Sequence, residues 1–257
     1  MGWVDSHCHL NFASLEPETL IPKMQQQKCE AVLVPATELN LFADVLDLKN
    51  QYPNFVYWAL GLHPYFLQSH QLSHLEQLEV QIQQNHPNAL GEFGLDFMLK
   101  DSDIELQYVY LREQIKLAKS YQLPLVIHCR KAHDQLASEL RQLNFHQGGF
   151  IHGFSGSVQQ AKRYLDMGFV LGLGGALTYE RANAMRKMVA ALPDEGFTLE
   201  TDSPDMAPAF AQGQINTPLN IPRIAEYIAQ IRNQTVEQVI EQTTVNFFRT
   251  LGLNQEG

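Results

Sequence analysis

Apolar positions fall along this chain in two alternating textures. Short, nearly continuous β-rich runs cover 2–5, 31–36, 55–62, 89–95, 125–128, 149–154, 169–174 and 197–200, as strands buried on both faces require. Between them lie stretches of helical spacing. Tyr108, Leu111, Ile115 and Ala118 mark one apolar stripe, with Lys116 and Lys119 off it. Ser157 with Gln160 and Thr235 with Gln238 fit capping boxes that open helices, and Gly168 stands where a helix-ending glycine precedes the next strand. Val236, Val239, Ile240, Thr243 and Phe247 form the buried face of a final helix. Strand and helix alternating in this way predict an α/β fold: a single (β/α)8 TIM-type barrel with its site at the C-terminal ends of the strands. An open doubly wound sheet is the alternative, but no Gly-x-Gly-x-x-Gly follows the first strand to favour it. No linker or repeat divides the chain, so one domain over 1–257 is expected.

Composition narrows the setting. The 257 residues match the size of one such barrel, about 250 residues. No apolar run approaches the roughly 20 residues that span a bilayer, and no basic stretch leads into an apolar core at the start. With only Cys8, Cys29 and Cys129, a disulfide framework is not expected and a cytoplasmic protein is. Cys8 and Cys129 each follow a histidine, and strand alternation turns them away from it into packing positions. A net charge of −10 argues against a broad basic surface for duplex nucleic acid. It does not exclude a nuclease, because bound cations can dominate the field of an acidic site.

The chemistry gathers at the predicted strand ends. Asp5, His7 and His9 would share one face of the first strand. His63 follows the third, Glu92 and Asp96 lie on the fourth, His128 and Arg130 on the fifth, His152 on the sixth, and Glu200 and Asp202 end the eighth. One arrangement has His7, His9 and Asp202 on one ion, His128 and His152 on a second, and Glu92 bridging them. Mixed histidine and carboxylate donors suit Zn²⁺, Mn²⁺ or Fe²⁺, whereas an all-oxygen set would favour Mg²⁺. Paired ions can hold a hydroxide nucleophile and steady the leaving oxygen of an in-line displacement. The bland alternative is a set of unrelated polar residues at a barrel rim.

These stretches resemble, in order, the motifs of the TatD family: Asp5-Ser-His-Cys-His-Leu10, Gly61-Leu-His-Pro64, Gly91-Glu-Phe-Gly-Leu-Asp96, His128-Cys-Arg130, His152-Gly-Phe-Ser-Gly156 and Glu200-Thr-Asp-Ser-Pro204. Asn216-Thr-Pro218, Asn220-Ile-Pro222 and Asn246-Phe-Phe-Arg249 resemble its tail. The resemblance implies a metal-dependent hydrolase of the amidohydrolase superfamily, with His7, His9, Glu92, His128, His152 and Asp202 as metal ligands. It further implies a deoxyribonuclease, a 3′-5′ exonuclease acting on single-stranded or frayed DNA ends, with RNA also possible. Glu92 and Asp202 would be catalytic, and His63 and Arg130 would lie near the scissile phosphate. Phe93 and Met98 depart from the family pattern, which leaves substrate preference open.

Each side role has a plain competitor. His63 contacts substrate or packs a loop before proline; Arg130 grips phosphate or forms a rim salt bridge. Glu200 orients a ligand or the Asp5 region, and Asp5 supports a ligand histidine. Asp96 is either a support for a ligand or pocket wall. His70, His74, His86, His133 and His146 lie outside the strand ends and read as packing or surface residues. Ser155, Gly156 and Ser157 precede a capped helix whose free N–H groups could cradle an anion, or merely cap it. The rival activities are hydrolysis of a small ester, amide, lactone or phosphotriester, and a non-catalytic metal-binding regulator. Nothing in the sequence requires a membrane or an obligate protein partner.

Overall fold

The computed structural model describes residues 1–100 and 102–253; position 101 and the last four positions of the expected 1–257 domain lie outside it. Eight parallel strands run in sequence order round a (β/α)8 barrel: β1 Trp3–Asp5, β2 Cys29–Ala36, β3 Val56–Leu60, β4 Ala89–Asp96, β5 Leu125–Arg130, β6 Gly149–Ile151, β7 Phe169–Leu173 and β8 Phe197–Leu199. The ring closes where the Ser6 N–H donates to Leu199 O at 2.9 Å and the Asp202 N–H donates to His7 O at 2.9 Å.

Helices α1 Pro17–Gln26, α2 Phe42–Gln51, α3 Ser73–Asn85, α4 Ile104–Ser120, α5 His133–Gln142, α6 Val158–Leu165 and α7 Asn183–Ala190 follow the successive strands. After β8, α8 Ile221–Arg232 and α9 Val236–Thr250 complete the wall. Both expected capping boxes are formed, Ser157 with Gln160 ahead of α6 and Thr235 with Gln238 ahead of α9. β6 and β8 end earlier than the apolar runs do. His152, Glu200 and Asp202 therefore stand just past the ladder, free to turn inward.

Alternation divides each strand between two cores. Val4, Leu33, Ala59, Ala89, Val126, Phe150 and Val170 fill the barrel axis, and Phe247 of α9 plugs it from the N-terminal end. Their strand neighbours pack outward against the helices. With the lower end sealed, the polar residues are left at the opposite mouth.

Candidate metal centre

Two breaks in alternation aim the first ligands. Val4 faces the axis, so its neighbour Asp5 does not, and the expectation that Asp5 shares a face with His7 and His9 is corrected. The chain bends at Ser6 and His7, returning His7 and His9 to the mouth while Cys8 packs in the outer core. Asp5 supports His7 through the backbone and not through the ring. Its Oδ1 accepts from the N–H groups of His7 at 3.1 Å and Thr201 at 3.0 Å, and Oδ2 accepts from Thr201 Oγ1 at 2.5 Å. Burial pushes its carboxyl up to about 8, against these three hydrogen bonds, which favour the ionised form.

Glu92 owes its direction to a bulge in β4. Gly91 pairs with Val126 and Phe93 with Ile127, so Glu92 is an extra residue between them. In a regular strand, inward Ala89 would send Glu92 outward. Here its two oxygens divide between two groups. Oε2 lies 3.2 Å from His7 Nε2 and 3.8 Å from His9 Nε2, while Oε1 lies 3.2 Å from His128 Nδ1 and 3.4 Å from His63 Nε2. Asp202 completes the first group, with Oδ1 at 3.6 Å from both His7 and His9.

His152 lies nearer the first group than expected. Its ring stacks on His7 at 3.7 Å and stands 6.4 Å from His128. Its Nε2 faces Asp202 Oδ2 at 3.5 Å and its Nδ1 faces Glu200 Oε1 at 3.2 Å. Glu200 Oε1 also accepts the Gly153 N–H at 2.6 Å. Room for this carboxylate comes from β7, where a Cβ on Gly172 would sit 1.9 Å from Glu200 Oε2.

The second nitrogen of each imidazole decides what the first can do. Asp96 Oδ2 sits 3.0 Å from His128 Nε2, which keeps the proton there and leaves the Nδ1 lone pair facing Glu92. His63 is the reverse. The Tyr65 N–H donates to His63 Nδ1 at 3.0 Å, so the neutral ring carries its proton on Nε2, towards Glu92. Burial lowers the His63 pKa to about 4, with His128 adding to the effect, so that neutral form holds at pH 7. His63 faces the cluster as a donor, whereas His128 faces it as an acceptor.

The donor set fits divalent metal. Three groups place donor atoms within 4.8 Å of one another: His7, His9 and Asp202; His7, Glu92 and His152; His63, Glu92 and His128. His7 is 1% exposed and Glu92 3%, yet both His7 nitrogens, His9 Nδ1 and His152 Nδ1 have no hydrogen-bond partner of good geometry. Of these, His7 Nε2 is aimed at Glu92 and Asp202, and a buried nitrogen left so costs energy unless a cation lies between them. Burial raises the Glu92 pKa, but His7 and His63 outweigh it and hold that carboxyl well below its ordinary value. Burial likewise opposes ionisation of Asp202, and His152 foremost reverses this, so Asp202 is depressed.

Arg130 stands at the edge of this cluster, with its side chain 60% exposed and Nη1 3.8 Å from Asp96 Oδ2. Sequence reasoning missed the clamps behind the strand ends. Gln114 Oε1 accepts the Leu62 N–H at 2.8 Å and Nε2 donates to Leu62 O at 3.2 Å. Gln107 holds Asp96 in the same way, and both glutamines are fully buried. The signal was their seven-residue spacing on the face of α4 that also carries Leu111 and Ala118.

A family model described as TatD-related DNase matches residues 4–252. An Escherichia coli K12 protein called an uncharacterized metal-dependent hydrolase, YjjV, is 38% identical over 250 residues, 96% of each chain. An uncharacterized metal-dependent hydrolase of Haemophilus influenzae is 36% identical over 256 residues, 96% of this chain and 98% of its own. The crystal structure of YjjV, described as a TatD homolog, superposes with a TM-score of 0.94 at 37% identity over 98% of both chains. An organophosphorus hydrolase from Deinococcus radiodurans shares the fold at a TM-score of 0.70 and 12% identity, over 98% of this chain and 93% of that one. With that fold, this cluster and these relatives, the chain is a metal-dependent hydrolase of the TatD-related DNase family.

Proposed function

We propose that the protein is a two-metal phosphodiesterase that cleaves single-stranded or frayed DNA ends, with RNA as a possible second substrate. The observation that carries this reading is the division of the Glu92 carboxylate between two donor groups. His7, His9, Asp202 and Glu92 Oε2 would hold one ion. His128 and Glu92 Oε1 would hold the other, and His152 would join the centre from the side of His7 and Asp202. Two such ions supply a nucleophile from water at neutral pH and neutralise charge on the reacting phosphoryl group.

The chain's own residues do the rest. His63 donates from Nε2 to a phosphoryl oxygen, a role its tautomer favours over ligation. Arg130 offers its planar fork at the mouth, where a phosphate passes on the way in. Asp202, whose Oδ1 faces both His7 and His9, takes the proton of the attacking water as the phosphorus–oxygen bond breaks. Asp96 and Glu200 keep the proton of His128 and His152 on the nitrogen away from the metal.

Burial of the cluster and the net charge of −10 favour a strand that has left the duplex over one still paired. The test is cleavage of end-labelled single-stranded DNA by chelated protein and by protein reloaded with Zn²⁺, Mn²⁺, Mg²⁺ or Fe²⁺. Activity should vanish on chelation and return on reloading. Full activity without metal, or turnover only on amides, lactones or small esters, would overturn the reading.

A further inference from the structure

Beside the metal cluster lies a basin of about 560 Å³, walled by Arg130 and Lys131 at the end of β5 and by Ser155, Gly156 and Ser157 ahead of α6. It adjoins the cluster through one residue, since Asp96 faces both Arg130 and His128. In a chain of net charge −10, two consecutive cations lining one cavity call for an anion. The acid on the basin wall, Asp134, is engaged by Arg163. Lys131 forms none of the ion pairs found among the described residues.

Backbone geometry makes this pairing of cations possible. Neighbouring residues on a strand point to opposite faces, which would part Arg130 from Lys131. Lys131 instead takes a left-handed conformation, φ 56°, as the chain leaves β5, and both side chains line the basin. Left-handed backbone is unfavourable for a non-glycine residue. The opposite wall is ordered by the capping box of Ser157 and Gln160, and the first N–H groups of α6 have no acceptor within the helix.

We propose that this basin is a second phosphate subsite, in which Lys131 with the Ser155–Ser157 turn holds a phosphate of the substrate one nucleotide away from the bond that is cut. The subsite rests on the phosphodiesterase reading above and narrows its substrate class to nucleic-acid strands carrying a further phosphate beside the scissile one. Arg130 stands between the two phosphates.

The experiment compares metal-loaded protein on a thymidine dinucleotide with a free end, with a 5′-phosphate and with a 3′-phosphate. Lys131→Asn removes the charge while keeping a residue that tolerates left-handed backbone. Lys28→Asn is the matched control, because Lys28 is an exposed lysine with φ 64° just ahead of β2, at the other end of the barrel. The wild type and Lys28→Asn should prefer one of the phosphorylated dinucleotides by on the order of tenfold in kcat/KM, about 1.4 kcal/mol. In Lys131→Asn that ratio should fall towards one. Equal rates on all three dinucleotides in the wild type, or a preference that survives Lys131→Asn, would overturn the subsite while leaving the phosphodiesterase reading standing. No cleavage of any dinucleotide, with turnover of a small ester or amide, would overturn both.

Discussion

Gln107 grips Asp96 by both ends of its peptide unit: the Asp96 N–H donates to Gln107 Oε1 at 2.8 Å, and Gln107 Nε2 donates to Asp96 O at 3.0 Å. Asp96 in turn steadies His128. Replacing Gln107 by Leu would leave two buried backbone groups without partners, at roughly 1–3 kcal/mol each. Urea unfolding should show a loss of about 2–6 kcal/mol. Metal affinity should fall by roughly 10- to 100-fold, because the partner of a ligand histidine is loosened. An unchanged unfolding midpoint with unchanged metal content would remove the clamp from the design of the site.

Much of this was legible in the sequence, and what was not has particular causes. The eight buried runs read as parallel strands because the barrel core buries one face and helices the other, and each histidine of the cluster marked a strand end. The inward turn of Glu92 was not legible, since a bulge depends on pairing with β5 and leaves only Gly91 as a trace. The bend that parts Asp5 from His7 depends on closure against β8, almost two hundred residues away. Gln107 and Gln114 gave no signal beyond their spacing, since glutamine is mostly exposed; their partners are backbone groups that only the tertiary fold supplies. The proton position on His63 hangs on the Tyr65 N–H, which spacing alone cannot show.

Glu92 and Arg130 should separate in a paired measurement of metal content and rate. Glu92→Ala removes oxygens from both donor groups, so metal stoichiometry and turnover should fall together. Arg130→Ala should keep its metal, since a guanidinium cannot ligate a cation, and lose rate on a phosphodiester. Loss of a charge-assisted contact to developing negative charge is worth about 2–4 kcal/mol, or roughly 10²–10³ in rate. Two ions bound tightly by Glu92→Ala would refute the bridge, and an unaffected rate in Arg130→Ala would assign that residue to the rim.

Gly172→Ala should damage the centre from behind. Its Cβ would fall 1.9 Å from Glu200 Oε2, and the Glu200 carboxylate would have to leave its contacts with His152 and Gly153. Overpacking of this kind costs about 1–3 kcal/mol. The expected result is a lowered thermal midpoint with weaker metal binding, both measured on the same preparation. Wild-type values for both would show that the space behind Glu200 is not needed.

Cys8, Cys29 and Cys129 are free and buried. Burial pushes the Cys129 thiol up to about 12 and raises the other two as well, so little thiolate is available to react. Native protein at pH 8 should resist a thiol-specific disulfide reagent, and denatured protein should release all three equivalents. Fast modification in the native state would contradict this placement.

The acid side of the stability curve should carry the mark of His133. Its ring is buried against Phe154 and Tyr164, with Nδ1 3.2 Å from Tyr164 Oη. Burial lowers its pKa from 6.5 to about 4, with Asp134 opposing and His128 adding slightly. Between those values the unfolded chain binds a proton that the folded chain does not, so stability rises with pH through this window. Equivalently, the contribution is present above pH 6.5 and is lost progressively as pH falls towards 4. At 1.36 kcal/mol per unit the shift corresponds to on the order of 3 kcal/mol across the window. Gln cannot titrate, so His133→Gln should start less stable at pH 7 and lose less on acidification. Urea unfolding of both proteins from pH 7 to pH 4 reads this out as converging curves, and parallel curves would show that His133 does not set the acid limb.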